Sequence, residues 1–160
     1  MEGFVENRFE NFTVLITKIS RAIRRIKTEE MAEFDLKSPH VSCLYYIYKN
    51  RQLTAKELCD LCDEDKSAIS RSLVFLEDEG FLECDSKTIK KYKAPITLTK
   101  KGEEIGKIID GKIDKIVDMA SLGLNDEDRG ALYRALSIIS DNLENVTNNY
   151  GGNYVDKNND

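Results

Sequence analysis

Up to Gly80 the apolar residues of this 160-residue chain recur every three or four positions, and between Phe81 and Thr99 they do not. The segments "FLECD" and "APITLT" read instead as two short strands, with a lysine-rich stretch as the loop between them. Helical spacing returns after Thr99, with Ile105, Ile108, Ile109, Ile113, Ile116 and Val117. The element order is therefore four helices, a hairpin and two more helices. Residues of roughly 40 to 100 in that order make a winged helix-turn-helix.

The helices carry their own boundary signals. Val5, Phe9, Phe12, Ile16, Ile19, Ile23 and Ile26 alternate steps of four and three, an apolar stripe along one long helix. Arg21, Arg24, Arg25 and Lys27 lie off that stripe near its C-terminal end, where cations suit the helix dipole. Ser38 as N-cap and Pro39 at the first helical position announce a second helix. Thr54 and Glu57 form a capping box for a third, with Leu53 and Leu58 as a hydrophobic staple. That helix stops near Cys62, and Asp65 caps a fourth, about Lys66 to Glu79, which Gly80 terminates in the left-handed conformation. Thr99 caps the fifth helix. Asn125 starts a sixth, striped by Leu132, Leu136, Ile139, Leu143 and Val146. The asparagine-rich end, 149–160, reads as a disordered tail.

The fourth helix has two unlike sides. Ile69, Leu73 and Leu76 are spaced to pack on a core, whereas Ser67, Ser70, Arg71 and Val74 are short or basic and share another face. In a helix-turn-helix the second helix enters the major groove N-terminal end first, and small side chains let its axis approach the bases. Arg71 can make a bidentate contact to guanine, the serines can reach bases or phosphates, and Val74 can meet a thymine methyl. A net charge of −5 argues against nucleic acid in bulk, but the segment from Lys87 to Lys101 holds six lysines and no acid. A local basic surface on an acidic body is compatible with phosphate contact at one place.

The run "LTAKELCDLCDEDKSAISRSLVFLEDEGFLE…ITLTKKG" resembles the MarR family of bacterial winged-helix regulators over residues 35 to 105. The resemblance implies a homodimeric transcription factor, most often a repressor, on a pseudo-palindromic operator of double-stranded DNA. In that family ligands or oxidants release many members. Carried over by position, groove contacts fall on Lys66, Ser67, Ser70 and Arg71. The wing contact falls on Lys90 or Lys91 with Lys87 nearby, and dimer contacts on the Val5–Ile26 stripe and the sixth helix, including Leu136, Ile139 and Leu143. Three departures accompany the match. Lys90 and Lys91 replace an Asp-Arg pair at the wing tip, Phe75 stands where a basic residue is usual, and Glu64 and Asp65 put acid beside the DNA-facing helix start.

"CDLC" at 59–62 invites a zinc or redox reading, but it lies inside a helix, and Cys43, Cys84 and His40 are the remaining Cys or His candidates for a metal. Buried packing of Cys59 and Cys62 is the expectation, with a thiol sensor as the alternative. Tyr45, Tyr46 and Tyr48 are expected to pack beneath the first helix, Tyr45 and Tyr48 near a ligand cleft for an inducer. His40 is expected in a surface or capping role. No ordered set of nucleophile, base and acid points to an enzyme, no cofactor is implied, and no apolar run suits a membrane, so the cytoplasm is expected. The expected architecture is mainly α with a small antiparallel β wing: a helical arm at 1–34, a DNA-binding domain at 35–100 and dimerisation helices at 101–148. The competing function is a winged-helix protein-interaction module without DNA binding.

Overall fold

A computed structural model describes residues 8–62, 64–84 and 94–152. Helix α1 spans Arg8–Glu30, and a short 3₁₀ turn, Ala32–Phe34, leads to α2, Ser38–Asn50. Strand β1, Gln52–Leu53, precedes α3, Ala55–Cys62, and α4, Lys66–Asp78. Strands β2, Leu82–Cys84, and β3, Ile96–Leu98, then lead into α5, Lys100–Ala120, and α6, Asp126–Gly152. The sheet is antiparallel with order β1-β3-β2, pairing Leu82 with Leu98, Cys84 with Ile96 and Leu53 with Ile96. The order of helices and hairpin matches the expectation. The two-residue strand β1 was not foreseen: it is too short for a period, and Leu53 reads equally well as a helix staple.

Most of the helix starts hold as read. Thr54 and Glu57 close a reciprocal box: the Thr54 N–H and hydroxyl donate to Glu57 Oε2 at 2.7 and 2.8 Å, and the Glu57 N–H donates to Thr54 Oγ1 at 3.3 Å. Thr99 Oγ1 takes the Gly102 N–H, and Asn125 Oδ1 takes the Asp128 N–H. The second helix differs by one residue. Its first helical bond runs from the Val41 N–H to the Lys37 carbonyl, so Lys37 and not Ser38 is the cap. The Ser38 N–H goes to Thr28 Oγ1 instead, and His40 Nδ1 accepts the Lys37 N–H at 3.2 Å, which gives the histidine its capping role.

The described residues form two compact units divided between Asp114 and Lys115. Met31 at the end of α1 is buried, and so are Gly102, Ile105, Gly106 and Ile109 in the first half of α5. Met31, Ile105 and Ile109 share the core of the first unit with Leu44, Ile47, Leu58, Ile69, Leu76, Phe81 and Ile96. Lys112 fastens α5 to the end of α1, with Nζ 2.6 Å from the Glu30 carbonyl and in ion pairs with Glu30 and Glu33. In the second unit, α6 continues to Gly152, so 149–152 are helical rather than tail. The acids of its first turn suit the dipole there. Residues 153–160 lie outside the described residues.

Candidate nucleic-acid interface

Helix α4 is fixed at both ends. Asp65 Oδ1 accepts the Ala68 N–H at 2.8 Å, a side-chain cap on the first turn. At the other end Gly80 has φ +74°, the Gly80 N–H donates to the Glu77 carbonyl, and the Phe81 N–H donates to that of Leu76. This is a Schellman closure, and the residues after Gly80, Phe81 and Leu82, are buried against the core.

Along α4, Ile69, Ser72 and Leu76 are buried, and Leu73 and Phe75 pack partly against the core. The opposite side presents Ser67, Ser70, Arg71 and Val74, all exposed, and Lys66 at the helix start is exposed as well. The face singled out in the sequence is thus an outer face, and the residues at 67, 70, 71 and 74 are brought together by the 3.6-residue turn.

The two acids at the helix start are engaged within the fold. Asp65 is the cap, and Glu64 lies 3.7 Å from Arg24 of α1. Phe75 stacks on the His40 ring, with centroids 4.2 Å apart and planes 12° from parallel. An aromatic at position 75 therefore joins α4 to α2. Burial, reinforced by the Lys37 ammonium and opposed by Asp35, holds His40 below its ordinary pKa, so the neutral ring favours both stacking and capping.

Strands β2 and β3 flank the lysine-rich segment in the chain. Lys87, Lys90 and Lys91 lie outside the described residues. Lys101, the last lysine of the basic segment, is occupied at the wing base: its Nζ is 2.6 Å from the Glu79 carbonyl and 4.2 Å from the Phe81 ring centroid. Thr99 completes the joint, donating its hydroxyl to the Gly80 carbonyl at 2.7 Å and its N–H to the Phe81 carbonyl at 3.1 Å. The end of α4 and the start of α5 are thus tied to one another beneath the hairpin.

Of the residues expected at a dimer interface, Phe12, Ile16 and Ile19 on α1 and Leu136 and Leu143 on α6 are exposed, and Ile139 is half-buried. Val5 and the side chain of Phe9 fall outside the described residues. The apolar surface is wider than the stripes: Val14 and Leu15 on α1, and Tyr133 and Ile138 on α6, are exposed as well. Single-stripe counting missed them because they lie off the four-three rhythm.

Tyr45 and Tyr46 meet edge to face and pack against the core, and Tyr48 lies over Gly106. A cleft of about 300 Å³ opens elsewhere, between α1 and the α2–α3 region, and Ile19, Ile23, Lys27, Ser42, Cys62 and Glu64 are among its lining residues. Cys59 and Cys62 are partly buried against the core. Among the described residues no cluster of three or more His, Cys, Asp or Glu could hold a metal ion, and no helix is long and apolar enough to cross a membrane.

No family model matches the chain. It is 24% identical over 133 residues to YybA, an HTH-type transcriptional regulator of Bacillus subtilis strain 168, covering 81% of this chain and 86% of that protein. A MarR family regulator from Neisseria meningitidis superposes with a TM-score of 0.76 at 16% identity, over 90% of this chain and 99% of that one. A MarR family transcriptional regulator from Listeria monocytogenes, complexed with 26mer DNA, superposes with a TM-score of 0.74 at 23% identity, over 80% and 85%. The chain has the winged-helix fold of the MarR family regulators.

Proposed function

We propose that this chain is a MarR-type, DNA-binding transcriptional regulator. It acts in the cytoplasm as a homodimer that represses from a pseudo-palindromic operator. The observation that carries the reading is the division of α4: a buried side of Ile69, Ser72 and Leu76 and an exposed side of Lys66, Ser67, Ser70, Arg71 and Val74. A solvated helix has no need of small hydroxyls beside one arginine, whereas a helix that lies in a major groove does. The DNA complex of the Listeria neighbour supports the same partner.

Each protomer places α4 in one major groove, and the wing lysines Lys87, Lys90 and Lys91 contact the adjacent backbone or minor groove. The exposed apolar faces of α1 and α6 meet their counterparts on the second copy, because exposed apolar surface of this extent is covered most simply by a two-fold pair. Half-sites then lie about one helical turn apart, roughly 10 base pairs. Release by a small-molecule inducer completes the regulator.

Selection of binding sites from random duplex DNA tests the reading. A paired motif should emerge, with affinity that falls steeply as salt rises. Arg71→Ala should cost about 1–3 kcal/mol and relax preference at one base position. Lys90→Ala with Lys91→Ala should weaken all sequences alike. A dimer that retards no duplex would instead identify a protein-interaction module.

A further inference from the structure

His40 is the only histidine of the chain, and its ring makes two contacts at once. It lies flat on Phe75 of α4, with centroids 4.2 Å apart and planes 12° from parallel. Its Nδ1 accepts the Lys37 N–H at 3.2 Å and so caps α2. Both aromatic residues are half-buried, so protons reach the site without any opening of the fold. Phe75 follows Val74 directly and Arg71 by one turn, on the helix whose outer face carries the candidate DNA contacts.

We propose that the His40–Phe75 stack is an acid-sensitive joint: protonation releases the ring from Phe75, loosens α4 against α2 and weakens the hold on duplex DNA. The effect on DNA rests on the function proposed above, whereas the joint itself does not. Nδ1 needs its lone pair to accept the Lys37 N–H, and once protonated it is a donor facing a donor. A half-turn of the ring offers that N–H only a carbon, so the imidazolium cannot keep the cap in either orientation. It also puts a positive charge in the first turn of α2, where the helix dipole opposes it. One ring makes both contacts, so leaving the Lys37 N–H also means leaving Phe75.

The charges around the ring come from three directions. Asp35 and Lys37 stand between the 3₁₀ turn and α2. Helix α1 carries Lys27, which donates to Ser42, and Arg24, paired with Glu64. Helix α4 carries Arg71 and Asp78, one turn to either side of Phe75. Burial comes first in disfavouring the imidazolium, and Lys37 adds to it. Asp35 favours the cation, as does the face of Phe75. Burial and Lys37 outweigh Asp35 and hold the ring below its ordinary pKa. The stacked ring therefore binds its proton more weakly than a released one. Stacking is favoured above 6.5 and loses ground as pH falls through the lower, stacked value.

The test follows the one histidine by NMR in the isotope-labelled full-length protein, from about pH 8 to about pH 5. At the upper end its ring signals should lie upfield of those of a free histidine, because the Phe75 ring current shields a stacked neighbour. That offset should vanish on acidification with a midpoint below 6.5. Phe75→Leu should abolish the offset at every pH. A second arm measures the anisotropy of a selected duplex at constant salt, at about pH 7.5 and about pH 5.5. Affinity of the parent should fall about five-fold or more on acidification, against the rise that neutralised carboxylates give. His40→Gln, which keeps an acceptor for the Lys37 N–H, and Phe75→Leu should each lose that fall. No offset at the upper pH, or an offset that survives protonation, would overturn the joint. An equal fall in the parent and both variants would overturn its effect on DNA. If no duplex is bound at any pH, the regulatory function fails and the NMR arm decides the joint by itself.

Discussion

Replacing Gly102 by alanine would place a methyl carbon 2.0 Å from the Phe81 carbonyl oxygen and 3.3 Å from Leu98 Cβ. A close carbon–oxygen approach is about 3.3 Å, so α5 and the chain at Phe81 would have to part by about 1.3 Å. The obstacle is backbone, and no rotamer change relieves it. Separation would also break the bond from the Thr99 N–H to the same oxygen. Forced overpacking costs about 1–3 kcal/mol, and the lost hydrogen bond about 1 kcal/mol more. Alanine recovers about 0.5–1 kcal/mol by its better helix propensity. The net expectation is a loss of about 1–3.5 kcal/mol. Gly111, on the same helix, has nothing within 4 Å of an added Cβ. Gly111→Ala should therefore stabilise by about 0.5–1 kcal/mol. Gly106→Ala, whose methyl meets the Tyr48 ring at 2.8 Å and its Cβ at 2.9 Å, should fall between the two. Urea unfolding midpoints, compared at equal slope, measure all three. If Gly102→Ala matched Gly111→Ala, the joint between α4, the wing and α5 would not be as tight as described.

Asp65→Ala removes the α4 cap and should cost about 1 kcal/mol in the same urea assay, whereas an unchanged midpoint would mean the cap bond contributes nothing. His40 makes stability depend on pH. Its folded pKa lies below the ordinary 6.5, chiefly through burial, so the unfolded chain takes up the proton first. The contribution is therefore present above 6.5 and lost as pH falls through the folded value. His40→Gln keeps an acceptor for the Lys37 N–H, and should flatten the decline in melting temperature between about pH 8 and pH 5. Ile19→Asp should turn the proposed dimer into monomers in sedimentation velocity while leaving far-UV circular dichroism unchanged, since Ile19 is exposed. Persistence of the dimer would move the interface away from that stretch of α1.

Much of the architecture was legible because most of the helix starts are written in local chemistry. Thr54, Asp65, Thr99 and Asn125 each cap the helix that follows, and Gly80 ends α4 in the left-handed region. Positions set by distant partners were not legible. Ser38 looked like a cap, but Thr28, ten residues earlier, takes its N–H. Phe75 looked anomalous until the His40 ring accounted for it. The unit boundary at Asp114 was hidden because α5 is one uninterrupted helix whose first half alone is buried. The outer face of α4 could be read in advance because exposure follows from helix period.

The tertiary joint also gives a physical reason for two sequence fragments that accompany one another in the resemblance. "EDEGFL" and "LTKKG" lie about twenty residues apart, yet Gly80, Phe81, Thr99, Lys101 and Gly102 converge at one point. A larger residue at 102 or a missing hydroxyl at 99 would separate the wing base from the end of α4. The same economy resolves the charge problem. Glu57 and Asp65 serve as caps, and Glu64, Glu30, Glu33 and Asp110 pair with Arg24, Lys112 and Lys49. Helix α4 carries no acid from Lys66 through Leu76. A net charge of −5 therefore says little about this face, because a Debye length of about 8 Å at physiological salt screens acids elsewhere on the surface. The slope of log affinity against log salt should then report the local cations that meet phosphate, at about −0.9 each, rather than the charge of the whole chain.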